Sequence, residues 1–202
     1  MTPVYKLSAN SVKNGRTVYG SMLAGNTAFV PTDFESIATV TLSSNQSTID
    51  FSSISSSYSH LQLRCFVRMN RAATGDDMTV RFNSDTANNY SWHGLRGDGS
   101  GVGVYDSSST SFMNVFDLVG DSAASNTFSC AIIDILDYKD TNKYKTIRGL
   151  SGGDRNGAGA VAISSGNWRS TSAITGISLG GRYGSGILSG STVALYGIKA
   201  AS

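Results

Sequence analysis

Apolar and polar positions alternate with a period of two along much of the chain from residue 35 onward. The clearest case runs from residue 60 to residue 69, where Leu61, Leu63, Cys65, Val67 and Met69 share one parity. Alternate side chains of a strand lie on opposite faces of its sheet, so this period predicts half-buried β-strands. The predicted strands cover residues 35–42, 48–51, 60–69, 78–82, 90–93, 112–118, 128–136, 145–150, 158–163, 174–179 and 192–198.

Turn-forming residues separate these strands and favour an antiparallel sheet architecture. Glycine, serine, threonine and asparagine fill the gaps, and most gaps are short. Many short strands with such turns are typical of a β-sandwich or jelly roll. The segment 94–103 holds five glycines, and we expect either a loop or a strand with close backbone approach. The predicted fold is all-β, a jelly-roll antiparallel β-sandwich over residues 34–202.

Residues 1–33 differ from the rest of the chain. This stretch is polar, is interrupted by glycines and prolines, and shows neither the strand nor the helix period. Such a segment cannot bury enough apolar surface to fold alone. We therefore predict an extended N-terminal arm that either covers its own domain or attaches to a partner.

The charge pattern narrows the classes of partner. The formal net charge is +2, and the basic residues are scattered along the chain. A nucleic-acid-binding face needs a denser basic cluster, so no nucleic-acid partner is predicted. The nearest group of basic residues is expected to form a solvent-facing stripe on a strand pair. It consists of Arg64, Arg68, Arg71 and Arg81.

The cysteines and the N-terminus indicate the compartment. Cys65 and Cys130 lie in apolar strand patterns, and we expect two buried free thiols, with a disulfide between adjacent strands left open. The chain opens with no signal peptide and has no run of about 20 apolar residues. Folding in a reducing cytoplasm without a membrane partner is the expectation.

No arrangement of residues predicts catalysis, a metal site or a cofactor. The two histidines, His60 and His93, are too few for a three-histidine metal site. Asp134 and Asp137 are three apart on a predicted strand and so belong to opposite faces, whereas general acid–base catalysis needs converging carboxylates. The Asp76-Asp77 pair is expected in a hairpin turn. We expect a protein that is not an enzyme.

Aromatic residues in polar surroundings provide one candidate binding site. Tyr90, Trp92 and Trp168 lie in segments rich in asparagine, serine and glycine. Exposed rings of this kind stack on sugar faces, so these three are glycan-binding candidates. The alternative is that the rings are buried between two sheets.

A series of segments, in order over roughly residues 30–200, carries a family resemblance. They are FESIATVTL (34–42), FSSI (51–54), YSHLQLR (58–64), VRFNSD (80–85), NY (89–90), DILDY (134–138), WRSTSAIT (168–175) and ALYGIK (194–199). Together they resemble virion structural proteins of tailed phages of aquatic bacteria, which are capsid decoration, head-fibre or tail-fibre proteins. The resemblance implies a jelly-roll domain on the particle surface, commonly a homotrimer, without enzymatic activity.

The leading hypothesis is therefore a capsid decoration (cement) protein, assembled in the host cytoplasm and held on the outer shell by residues 1–33. The chain has no heptad or collagen-like stretch that could build a fibre shaft. The expected partners are capsid or tail proteins and further copies of the chain. A tail-fibre or baseplate component, or a carbohydrate-binding module that recognises host surface glycans, are the alternatives.

Overall fold

The computed structural model describes residues 34–184 and 186–199, and it arranges them in β-strands. In chain order the strands are Phe34–Thr41 (β1), Thr48–Phe51 (β2), His60–Val67 (β3), Gly75–Phe82 (β4), Tyr90–Gly97 (β5), Val102–Thr110 (β6), Met113–Val119 (β7), Ser129–Ile135 (β8), Lys145–Asp154 (β9), Gly159–Trp168 (β10), Ile177–Gly181 (β11) and Thr192–Ile198 (β12). The predicted arm, residues 1–33, lies outside the described residues.

The strands form two antiparallel sheets. The larger has eight strands in the order β1-β12-β3-β8-β9-β10-β5-β6, and the smaller has four in the order β2-β11-β4-β7. Strand β7 of the smaller sheet packs against β5, β9 and β10 of the larger. The prediction of an all-β sandwich is confirmed. The finer jelly-roll connectivity is not established by this strand order and stays a prediction.

The hydrophobic core lies between the two sheets. On β3, Leu61 and Leu63 are completely buried, whereas Arg64 on the other parity is exposed. From the smaller sheet, Met78 and Val80 are completely buried in the same core. Each large aliphatic side chain buried in this way contributes about 1.5–3 kcal/mol. The alternation predicted for residues 60–69 is therefore the core-forming pattern of the larger sheet.

The register of the larger sheet aligns side chains in rows that cross its strands. Ile132 on β8 pairs with Leu150 on β9, which pairs with Ile163 on β10; Ile163 in turn pairs with Leu95 on β5, which pairs with Val104 on β6. Register partners point to the same side of a sheet. This row lies on the face turned away from the core.

The glycine-rich segment 94–103 belongs mostly to two strands rather than to a loop. Strand β5 continues to Gly97 and β6 begins at Val102, so only a short connection remains. A Cβ at residue 94 would lie 2.2 Å from a ring carbon of Phe116 on β7, far inside contact distance. The expectation of close backbone approach is confirmed at Gly94, and the glycine there lets the two sheets come together.

Candidate functional site

The three aromatic candidates for glycan binding are buried between the sheets. Tyr90 is 0% exposed, Trp92 4% and Trp168 3%. All three are at core-facing positions of β5 and β10, where large rings fill the space between the layers. The structure therefore agrees with the alternative stated for these rings, burial between two sheets, and they offer no free face on which a sugar could stack.

Hydrogen bonds fix two of these rings in place. The Tyr90 hydroxyl accepts from the backbone N–H of Phe82 at 3.1 Å, and the Trp168 indole N–H donates to the Asp85 carboxylate at 2.7 Å. The Tyr90 and Trp168 rings stack with centroids 6.2 Å apart. Burial raises the pKa of Tyr90 to about 12. These contacts give both residues a structural role in the sandwich.

Asp134 and Asp137 are each engaged by basic or amide partners. Asp134 accepts from Gln62 at 2.8 Å and from Arg148 at 3.0 Å on the outer face of the larger sheet. Asp137 accepts from Lys143 at 3.0 Å in the turn after β8. Asp134 and Asp137 line one surface pocket, but each is paired there with a cation, Arg148 or Lys143, and Lys143 also contacts Asp140.

The expectation of a hairpin turn at Asp76-Asp77 is wrong, because both residues lie within β4. A register shift between Asp76 and Met78 interrupts the pairing of β4 with β7 at this point. The side chain of Asp77 accepts from Asn114 at 3.0 Å and from Arg182 at 2.9 Å. An irregular strand of this kind turns a carboxylate toward its neighbours in a way that the sequence pattern does not reveal.

Asp77 belongs to a charged cleft of about 430 Å³ at one end of the sandwich. Asp117 bridges Arg96 at 2.5 Å and Arg155 at 3.2 Å, while Asp77 pairs with Arg182. Each of these three arginines is paired with a carboxylate of the cleft, and Arg96 and Arg155 share Asp117. The cleft is therefore an ion-pair network that connects β4, β5, β7 and the segments after β9 and β11.

Only part of the expectation for the arginines and cysteines is confirmed. Arg64 is exposed as expected, but Arg68 is only 7% exposed because its guanidinium donates to four backbone carbonyls of residues 121–127. Cys65 is buried, and burial raises its pKa to about 12. Cys130 is an exposed free thiol, which corrects the expectation that both are buried.

The most prominent surface feature is an apolar area on the outside of the eight-stranded sheet, here called the outer apolar face. It is formed by two adjacent rows of side chains on β3, β8, β9, β10, β5 and β6: Phe66, Leu95, Val102, Val104, Cys130, Ile132, Leu150, Val161 and Ile163.

The side chains of the outer apolar face are well exposed to solvent. Exposure ranges from 41% for Ile132 to 77% for Val104. The second of the two rows contains Phe66, Cys130, Val161 and Val102. In this row Gly152 and Gly97 flank Val161 in the register, so no side chain stands beside it on β9 or β5. Contiguous exposed apolar areas are characteristic of interaction surfaces.

A polar row borders the outer apolar face. It runs from Gln62 through Asp134 and Arg148 to Ser165 and His93, in register across five strands. The Asp134–Arg148 ion pair in this row is internally neutral. An apolar centre with a polar border is the usual composition of a protein–protein interface.

Sequence reasoning missed this face although one signal was present. In β8 both parities are apolar: Cys130 and Ile132 on one, Ala131 and Ile133 on the other. An antiparallel strand with one solvated face normally alternates apolar and polar positions. The continuous apolar run was therefore a signal that the second face of this strand is apolar as well.

Neither a group of metal-ligating side chains among the described residues nor a similar known protein indicates a different kind of functional site. Within residues 34–184 and 186–199, no group of three or more His, Cys, Asp or Glu side chains could hold a metal ion. The same residues include no helix that is long and apolar enough to span a membrane. No family model, curated protein or solved structure matches the chain.

Proposed function

We propose that this chain is a non-enzymatic structural protein of a phage particle, a capsid decoration (cement) protein that binds the outer shell through residues 1–33 and stabilises it. The observation that carries the proposal is the outer apolar face. Its row of five adjacent apolar side chains, from Ile132 to Val104, is suited to a protein that works as part of an assembly.

The family resemblance of residues 30–200 and the nature of the sandwich support the same role. Trp168, Tyr90 and Lys145 are buried and hydrogen-bonded, and Asp77 and Asp117 are paired with arginines, so the polar groups of the domain serve to hold it together. A cement protein acts by bridging subunits, because opening the shell must then break many contacts at once.

A direct test is a pull-down with purified undecorated heads and, separately, purified tails. We expect the full-length chain to bind heads and to raise the temperature at which they release DNA. Deletion of residues 1–33 is expected to abolish binding while far-UV circular dichroism still reports a β protein.

Each other result has a definite meaning. Equal binding by both forms would move the attachment site onto the sandwich. Binding to tails but not to heads would favour the tail-fibre or baseplate alternative. Binding to neither would overturn the proposal of a particle protein.

A further inference from the structure

The outer apolar face is large enough for a stable interface. Most of its side chains are half to three-quarters exposed, the highest being Val104 at 77%. At roughly 100 Å² for each of its eight side chains other than Cys130, the face offers about 800 Å², which is the area that one partner buries in a standard protein–protein interface.

The composition of the face suits contact with an identical face. Its centre, from Ile132 through Leu150 and Ile163 to Leu95, has no charged side chain. The nearest charge in this row is Arg64, which pairs with Ile132 at the β3 edge and lies over the Phe34 and Tyr196 rings. Two copies in contact through the centre would therefore not bring like charges together there. In the polar border, Asp134 and Arg148 already pair at 3.0 Å. A charged face would repel its own copy, whereas a neutral apolar face has no such penalty.

We propose that the outer apolar face is the interface between copies of this chain, so that a second copy covers Ile132, Leu150 and Ile163. The inference rests on the proposed function and deepens it: residues 1–33 attach the chain to the shell, and this face joins the copies to one another. Contact between two identical faces implies a twofold axis, because in a ring around a threefold axis each copy meets its neighbour through two different patches.

The first test measures the mass of the free full-length chain by sedimentation and light scattering. The wild-type chain is expected to be a dimer at micromolar concentration, and a trimer would contradict contact between two identical faces. Leu150→Lys places a charge at the centre of the face and is expected to weaken self-association at least tenfold.

A matched control is available on the same side of the sheet. Leu136 is 58% exposed, close to the 51% of Leu150, but Asp134 and Arg148 separate it from the outer apolar face. Leu136→Lys is expected to leave the mass unchanged. If both variants dissociate equally, the interface is not at this face and the inference is overturned.

The two free thiols supply a second, independent readout. Cys130 lies in the face and is exposed in a single copy, whereas Cys65 is buried in the core. N-Ethylmaleimide is expected to label Cys130 of Leu150→Lys at least tenfold faster than that of the wild-type oligomer. Rapid labelling of Cys130 in the intact oligomer contradicts the proposal.

Labelling of Cys65 would reveal an unfolded variant. In that case Ile163→Thr, which retains a β-branched side chain, replaces Leu150→Lys and carries the same expectation of a faster-reacting Cys130.

The outcome separates this inference from the proposed function. A wild-type chain that is monomeric overturns the inference, and binding to heads still decides the decoration role. A Leu150→Lys monomer that binds heads supports both. If the wild-type chain is monomeric and Leu150→Lys loses binding to heads, the outer apolar face contacts the shell instead.

Discussion

The indole N–H of Trp168 donates a hydrogen bond to the Asp85 carboxylate at 2.7 Å and so connects segments 83 residues apart. The same carboxylate accepts from the Asn89 side chain at 3.0 Å and from the backbone N–H of Ala87 at 2.9 Å. Burial acts to raise the pKa of Asp85, but these three hydrogen bonds outweigh it and leave the pKa below its ordinary value. The ionised carboxylate therefore stabilises the folded state.

Asp85→Asn is expected to lower the free energy of unfolding by about 1–2 kcal/mol at pH 7, because the Trp168 N–H loses a charged acceptor. Since the folded-state pKa is depressed, the wild-type advantage is complete above the ordinary value of about 4 and is lost as the pH falls through the folded-state pKa. Urea titrations between pH 7 and pH 2.5 measure the difference.

Asp50→Asn is the control for this change, because Asp50 is exposed on β2 and its side chain accepts from the nearby Thr48 hydroxyl. Its effect is expected to stay below about 0.5 kcal/mol. A gap between wild type and Asp85→Asn that did not narrow toward pH 2.5 would count against the ionised carboxylate as the cause.

Gly94→Ala is expected to destabilise the protein by about 1–3 kcal/mol, because the added methyl group would overlap the Phe116 ring. Gly97→Ala on the same strand is the control, since a Cβ there meets no atom within 4 Å. Thermal unfolding of both variants measures the difference. Phe116→Leu in the Gly94→Ala background is expected to recover part of the loss, and a further loss instead would exclude the ring as the obstacle.

Arg68→Lys is expected to cost about 2–3 kcal/mol, because an ammonium group cannot reproduce the planar donor set that binds the carbonyls of Asp121, Ala123 and Ala124. Hydrogen exchange is expected to rise in residues 121–127. Arg64→Lys, at an exposed position of β3 just before Arg68, is expected to change stability by less than about 0.5 kcal/mol. Similar losses in the two variants would contradict the special role of Arg68.

No disulfide is expected between Cys65 and Cys130 of one chain. In the register of β3 and β8, Cys130 pairs with Phe66 and Cys65 pairs with Ala131, so the two thiols lie on opposite faces of the sheet. After treatment with copper phenanthroline, peptide mass spectrometry is expected to find only Cys130–Cys130 linkages between chains. A Cys65–Cys130 peptide would show that the register is different.

Much of the strand content could be predicted because it depends on local pattern. The alternation from Leu61 to Val67 identified β3 and its buried face, since a period of two follows from the geometry of a single strand. Strand β6 was missed because its glycines and serines have no such period, and its position follows from pairing with β5. Asp76 was misplaced in a turn for the same reason, as the irregular pairing of β4 with β7 is not local.

Strand β8 of the outer apolar face shows most clearly what the sequence determined and what the tertiary structure decided. The sequence by itself determined that residues 128–136 form an apolar strand, and the structure places β8 at Ser129–Ile135. Because both parities of this strand are apolar, the pattern could not decide whether Ile132 or Ile133 faces the core. The tertiary structure decided it: the smaller sheet covers Ile133, which is completely buried, and leaves Ile132 at 41% exposure. The physical reason is that burial depends on which sheet lies opposite a side chain, and that is set by contacts between residues far apart in the chain.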